Sequence, residues 1–391
     1  MKASSWSEMI RIGTNRLSKS LLFVAIAYAI GILIFQGWNY TGTSQSKQRL
    51  KVQEEMKRFI LFAGEKEGFN IEKKVFRFNR LNQLRKANSS KPTMAAANKR
   101  SISTKKVKIN HQTFLTTHIK CTQKFPLLIL VPSGPLNFRN RRVIRQTWGT
   151  DHSMNKTWRT MFLLGQAEYP NENKYVIAEA AIYGDIVQGN QIDSYYNLTL
   201  KVEMGLEWAV NYCDFDFLLK ADDDVFVDPF QLIDYLRRPQ TPKSWLYLGN
   251  VARRSNTRRQ GKWGLSYKEY PSDVLPKFCV GPAYVMSRDL VGKVVEIFDT
   301  RNPLKLEDVY MGLLMKRLGV TPRRHRGFKT DIFDGRCSYD SNLLVTHEAS
   351  VNCITKLFNK ALEQRFRHTL STDLEQTNEK YKHTSKLVNR S

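Results

Sequence analysis

Acidic residues are in short supply: 36 Asp and Glu stand against 62 Lys and Arg in 391 residues, a formal net charge of +26. That balance excludes an acidic, self-solvating chain and points to anionic partners, whether nucleic acid, lipid headgroups or phosphorylated small molecules. Cysteine is also sparse. The five cysteines, Cys121, Cys213, Cys279, Cys337 and Cys353, show no zinc-site spacing, and their odd number leaves at least one outside any intramolecular bridge. Five choices of the unpaired residue and three pairings of the rest leave fifteen two-bridge patterns open. Internal repeats are missing, which argues against a solenoid or array.

Long apolar runs are equally rare, and the most prominent lies near the N-terminus. Residues 21–35 are uncharged and mostly apolar, preceded by Lys2, Arg11, Arg16 and Lys19 and followed by Trp38 and Tyr40. With Ser20, Gln36 and Gly37 the run reaches the length that spans a thin membrane of the secretory pathway. A signal peptide is the competing reading, but no small-x-small cleavage site follows the run. The sequence therefore predicts a cytoplasmic tail (1–19), a signal-anchor (20–37), a luminal stem (38–118), a catalytic domain (119–365) and a polar tail (366–391). Lys47, Arg49 and Lys51 on the far side blunt the charge contrast. A luminal position gives meaning to the N-glycan sequons at Asn39, Asn88, Asn155, Asn197 and Asn389, and to disulfide formation. It also excludes nucleic acid as the partner of the basic charge.

The stem is rich in Lys, Arg, Asn, Ser and Gln and lacks sustained apolar periodicity, so it has too little to bury for a core of its own. Beyond it, strands and helices alternate. Residues 125–131 (FPLLILV) read as a buried strand, and residues 138–148 as a helix with Arg141 and Arg145 on one face. Guanidinium groups at that spacing suit a diphosphate; a solvated basic helix is the plainer reading. A strand at 160–164, a helix near 171–182 and a helix at 198–212 with an apolar stripe of Leu198, Val202, Gly205, Ala209 and Tyr212 follow, the pattern of an α/β sheet. Asp193 and Ser194 precede the last helix, where a cap or a phosphate-facing loop belongs. Farther on come a helix from Pro229 to 238, a strand at 245–249, a strand at 278–286 interrupted by Gly281 and Pro282, and a helix from about Arg288.

Two acidic places stand out. The apolar run at 217–219 ends in Asp222, Asp223 and Asp224, which reads as a strand carrying carboxylates to the open edge of a sheet. Three neighbouring carboxylates call for a cation, and oxygen ligands suit Mg²⁺ or Mn²⁺; an Asp-rich turn is the alternative. Glu307 and Asp308 lie in the first turn of a helix predicted at 306–320, where they also complement the helix dipole. His347 follows an apolar run, a setting that usually makes a histidine structural.

Together, residues 141–148 (RRVIRQTW), 162–165 (FLLG), 185–200, 220–227 (KADDDVFV), 270–287 and 307–312 (EDVYMG) resemble, in order, the motifs of the β-1,3-galactosyltransferase family, which includes N-acetylglucosaminyl- and N-acetylgalactosaminyltransferases. The resemblance covers about residues 120–350. It implies a GT-A-like α/β nucleotide-sugar fold on a type II anchor in the Golgi membrane, a UDP-sugar donor, a saccharide acceptor on glycoprotein or glycolipid, and Mn²⁺. Residue by residue, it implies Asp222, Asp224 and His347 as the metal set and Asp308 as general base. Arg141, Arg145, Asp193, Asp222 and Asp223 are the donor contacts expected, and Glu307 orients. Where many relatives carry a glycine-rich CSGGGY stretch this chain has CVGPAY at 279–284, and Leu275 replaces a frequent tyrosine; these departures leave the donor sugar open. Galactose leads, with the two N-acetylhexosamines as alternatives. A non-catalytic luminal binding protein would have shed the acidic residues, and all are present.

Overall fold

The computed structural model describes residues 50–51, 53–55, 58, 121–151, 156–252, 255–330 and 337–367. The chain divides into two compact units, 1–54 and 55–391. The expected tail, anchor and most of the stem lie outside the described residues, as do four of the five sequons; among the described residues no helix is long and apolar enough to cross a membrane. At the fifth sequon, the Asn197 side-chain amide donates to the Ile192 carbonyl at 2.9 Å and the Thr199 hydroxyl is buried on the Leu304 carbonyl.

The second unit is a mixed α/β fold. Its main sheet has seven strands in the order β3-β2-β1-β4-β7-β6-β8. These are β1 (Lys124–Pro132), β2 (Trp158–Gln166), β3 (Ile186–Ile192), β4 (Asp214–Ala221), β6 (Tyr247–Val251), β7 (Cys279–Ser287) and β8 (Arg323–Arg324); β5 (Phe226–Val227), β9 (Phe328–Lys329) and β10 (Val345–Thr346) form a small second sheet. The helices are α1 (Phe138–Gln146), α2 (Asn173–Tyr183), α3 (Leu198–Tyr212), α4 (Pro229–Arg237), α5 (Arg288–Ile297), α6 (Glu307–Arg317) and α7 (residues 351–367). β1, β2, β3 and β4 run parallel, and β7 is antiparallel to both β4 and β6.

The β1 sequence shows why this sheet is central. Leu127, Ile129 and Val131 enter one core with α1, α4 and α7, while Leu128 and Leu130 enter the other with α3, α5 and α6. A strand apolar on both sides fits only a sheet covered on both faces. α3 is buried nearly all round rather than along a single stripe, and Lys201, Glu203 and Glu207 are buried with it. Gly205 permits that fit, since a Cβ there would stand 2.3 Å from the Leu163 side chain. Gly281 and Pro282 do not interrupt β7, as the sequence had suggested: the strand runs through them, and the Pro282 carbonyl accepts from the Asp222 N–H at 2.9 Å.

Two disulfides select one of the fifteen patterns. Cys121 joins Cys213, pinning the entry to β1 onto the end of α3, and Cys337 joins Cys353. Cys279 is the buried free thiol.

Candidate active site

The chain leaves β1 toward β2 on one side and returns through α3 to β4 on the other, so the crevice at the carboxyl ends of β1 and β4 is the switch point of the sheet. Asp222 and its neighbours emerge there. The small sheet completes the group: β10 pairs antiparallel with β5, Thr346 opposite Phe226, which sets His347 beside the residues just before β5. The Ala349 N–H donates to the Asp224 carbonyl at 2.8 Å and fixes the alignment. One ligand atom from each of Asp222, Asp224 and His347 lies within 4.8 Å of the other two. His347 Nε2 stands 3.6 Å from Asp224 Oδ2. Burial works to raise the Asp224 carboxyl, but the hydrogen bond to His347 and its charge outweigh it and hold it below its ordinary value. Two carboxylates and an imidazole facing one point fit a divalent cation of the Mn²⁺ kind.

Asp223 points elsewhere. Its carboxylate accepts from the Ser133 hydroxyl at 2.5 Å, from Asn137 at 3.0 Å and from Asn140 at 3.4 Å, so it ties the turn after β1 to the end of β4.

Asp308 stands at the start of α6. Its Oδ1 accepts from the Val309 N–H at 2.8 Å and its Oδ2 from the Gly281 N–H at 3.0 Å. A Cβ on residue 281 would come 3.3 Å from that Oδ2, so the glycine gives the backbone its approach. Burial outweighs the helix-terminal N–H groups, and the Asp308 carboxyl lies above its ordinary value. Beside it, burial pushes Glu307 up to about 7, with Lys220 and the Tyr284 hydroxyl pulling the other way.

Lys220 links these groups, and the motifs do not single it out. Its side chain is fully buried, and Nζ donates to Asp222 Oδ1 and to the Gly281 carbonyl, each at 2.6 Å, with Glu307 at 3.7 Å. Burial alone would strip its proton; the Asp222 and Glu307 charges keep it cationic. The same residue, Gly281, thus has its C=O held by Lys220 and its N–H held by Asp308, which fixes the peptide groups on both sides of it. A lone lysine at the end of the apolar run 217–219, two residues before Asp222, was the available signal.

Arg141 and Arg145 are not brought to this cluster. Arg141 is wholly buried: it grips Glu179 through Nε at 2.9 Å and through NH2 at 2.7 Å, and donates to the Gly134 and Pro135 carbonyls and to Ser133. Arg145 is committed to Glu179 and Asp185, each at 2.7 Å, and lies over the Tyr183 and Phe162 rings. The pair thus shapes the β1 turn, and Arg141 is linked to Asp223 through the Ser133 hydroxyl. Asp193 is likewise occupied, by Lys201 at 2.8 Å and the Gly165 N–H at 2.7 Å. Lys201 also donates to the Ser133 carbonyl, so Asp193 borders the crevice as a support of its wall. Ser194 caps the turn after β3, accepting from the Asn197 N–H.

The profile of the galactosyltransferase family matches residues 139–326. A relative named beta-1,3-galactosyltransferase 5, from Pan paniscus, is 37% identical over 205 residues, covering 51% of this chain and 68% of its own length. The chain belongs to the galactosyltransferase family. Beta-1,3-galactosyltransferase 1 of Mus musculus is 33% identical over 246 residues, covering 61% of this chain and 75% of its own. UDP-GalNAc:beta-1,3-N-acetylgalactosaminyltransferase 1 of Rattus norvegicus is 37% identical, covering 53% of this chain and 64% of its own. As a member of this family the chain is a glycosyltransferase. Among solved structures, a galactosyltransferase in complex with donor and acceptor sugar analogues covers 60% of the chain at a TM-score of 0.34 and 11% identity, too distant to bear on the site.

Proposed function

We propose that the chain transfers a hexose, galactose first, from a UDP-sugar to the hydroxyl of a saccharide on a glycoprotein or glycolipid, forming a β-1,3 linkage with inversion. The observation that carries this reading is the juxtaposition, in a family member, of the Asp222, Asp224 and His347 set with the raised carboxyl of Asp308, all organised about Lys220 and Gly281. A GT-A-like site suits the switch-point crevice, and a type II anchor at 20–37 in the Golgi membrane suits the apolar run and the disulfides.

Asp222, Asp224 and His347 would hold Mn²⁺ or a similar cation, whose charge balances the departing diphosphate. Asp308 takes the proton from the acceptor hydroxyl. As that oxygen bonds to the anomeric carbon, the bond from that carbon to the β-phosphate oxygen breaks and UDP leaves with the electron pair. Asp308 and UDP must lie on opposite faces of the sugar, so an α-linked donor yields a β-linked product. Raising the Asp308 carboxyl above its ordinary value makes it a stronger base, and it acts as one wherever the pH exceeds that raised pKa. Lys220 keeps Asp222 and the Gly281 peptide in position, and Glu307 borders Asp308 through the same lysine.

A second reading, with UDP-N-acetylgalactosamine as donor, draws on the relative of that name and on the altered CVGPAY stretch. The test is a panel of UDP-galactose, UDP-N-acetylglucosamine and UDP-N-acetylgalactosamine against β-linked saccharides, with and without Mn²⁺, reading the product linkage by NMR. Mn²⁺-dependent β-1,3 transfer from one donor supports the reading; an α-linked product, or equal transfer in a metal chelator, refutes it.

A further inference from the structure

Large aromatic side chains are exposed beside the carboxylate cluster. Tyr195 and Tyr196, in the turn before α3, are 40% and 64% exposed; Trp263 and Tyr267, in the loop between β6 and β7, are 50% and 62% exposed. They form one surface. The Tyr195 and Tyr196 rings meet edge to face at 6.0 Å, and Lys262 Nζ lies 5.0 Å from the Tyr195 ring and 5.7 Å from the Trp263 ring. Arg258 sits 5.1 Å over Trp263 and Arg259 3.7 Å over Tyr267. The surface adjoins the proposed base: the turn carrying Tyr195 follows β3 at the same carboxyl edge of the sheet as Asp222, and Glu269, in the loop of Trp263, pairs at 3.0 Å with Lys305 just ahead of Asp308.

The loop that carries Trp263 is built rather than loose. Leu265 is fully buried in the core, its N–H donates to the Arg258 carbonyl, and Arg259 donates to the Leu265, Tyr270 and Ser272 carbonyls. Neighbouring cations have acidic partners, Arg259 with Asp273 at 2.6 Å and Lys305 with Glu269 at 3.0 Å. Among the described residues Arg258 and Lys262 have none, and both rest on the exposed rings. A ligand covering these rings meets apolar faces and two uncompensated positive charges together.

We infer that Tyr195, Tyr196, Trp263, Arg258 and Lys262 form an acceptor subsite that selects a saccharide bearing an anionic group, a sulfate or a carboxylate, near the hydroxyl that Asp308 deprotonates. The inference rests on the glycosyltransferase reading above. Sugar C–H faces suit the rings, and the anion suits Arg258 and Lys262.

The test uses the full chain with a UDP-sugar donor and three acceptors: a lactoside, the same lactoside sulfated at one 6-hydroxyl, and one with that carbon oxidised to a carboxylate. At low salt kcat/KM for each charged acceptor is expected to exceed the neutral one by about fivefold, the scale of exposed ion pairs, and to converge with it in about 0.5 M salt. A double variant, Arg258→Ala with Lys262→Ala, should bring the ratio near one through KM, and Trp263→Ala should raise KM for all three. Equal use of the three by the wild type, or a preference that survives the double variant, overturns the inference. Calorimetry with the same saccharides and no donor separates the two levels. Charged-over-neutral binding lost in the double variant, without transfer to any acceptor, upholds the subsite while the transferase reading fails. Binding of phosphatidylcholine–phosphatidylserine vesicles through Arg258 and Lys262, with no charge preference among saccharides, would make the surface a membrane contact and overturn the subsite.

Discussion

Replacing Lys220 by methionine removes the one ammonium placed among Asp222, Glu307 and Asp308 while keeping most of the buried volume. Its Nζ makes two contacts at 2.6 Å and one approach at 3.7 Å, all inside the protein. Deleting one partner of a buried charged network costs about 3–5 kcal/mol. At about 2–4 °C per kcal/mol for a domain of this size, the melting temperature should fall by on the order of 10 °C. The loss should depend on pH, with a sign the structure sets. Glu307 already titrates at about 7 in the folded chain, above its ordinary 4.5, so the folded state holds more protons there and its stability falls as pH rises through that window. Without Lys220 the carboxyls are pushed higher still, so the variant should be closest to wild type near pH 5.5, where the folded state can hold protons, and most destabilised near pH 8. Adding Mn²⁺ should recover part of the difference at pH 8 through Asp222. Thermal melts across that range measure it directly. A variant within 2 °C of wild type at every pH, or one more damaged in acid than in base, would refute this account of Lys220.

Arg141→Met should destabilise the chain by about 3–5 kcal/mol in denaturant melts, because Glu179 is left buried with one partner fewer; an arginine that bound the donor would instead raise donor KM with the melt unchanged. Gly281→Ala should lower kcat by about tenfold, since its Cβ would crowd Asp308 Oδ2, with only a small change in melting temperature. Cys353→Ser opens the bridge that closes the segment carrying His347; a loop of this length predicts a loss of about 3 kcal/mol and a higher Mn²⁺ requirement in the transfer assay.

The parts of the fold that could be read from the sequence are those with enough apolar residues to show a period. β1 is legible because a strand buried on both faces is a continuous apolar run, and β4 because its short apolar stretch at 217–219 gives way to carboxylates. β5, β8, β9 and β10 have two residues each, too few for any period, yet pairing of β5 with β10 is what brings His347 to Asp224. The role of His347 therefore came from resemblance alone. α7 was legible in principle: Cys353, Ile354, Leu357, Phe358 and Ala361 are buried at helical spacing. Arg141 and Arg145 share a helix face as their spacing implies, and in this structure that face meets acids of the fold. Their acids, Glu179 and Asp185, lie on α2 and just before β3, and nothing local to α1 announces them. Lys220 was hidden for a similar reason, since its contacts with Gly281 and Glu307 exist only once β7 and α6 pack beside β4.

Acceptor-dependent release of UDP from the UDP-sugar, compared between the wild type and Asp308→Asn, tests the base assignment most directly. The asparagine keeps the shape of the side chain and can still accept from the Gly281 N–H, but it cannot take a proton. The rate should fall by about 10²–10⁴-fold, the contribution of a positioned general base, with donor affinity and melting temperature close to wild type. A variant that still transfers to the acceptor within a few-fold of the wild-type rate would contradict the role of Asp308.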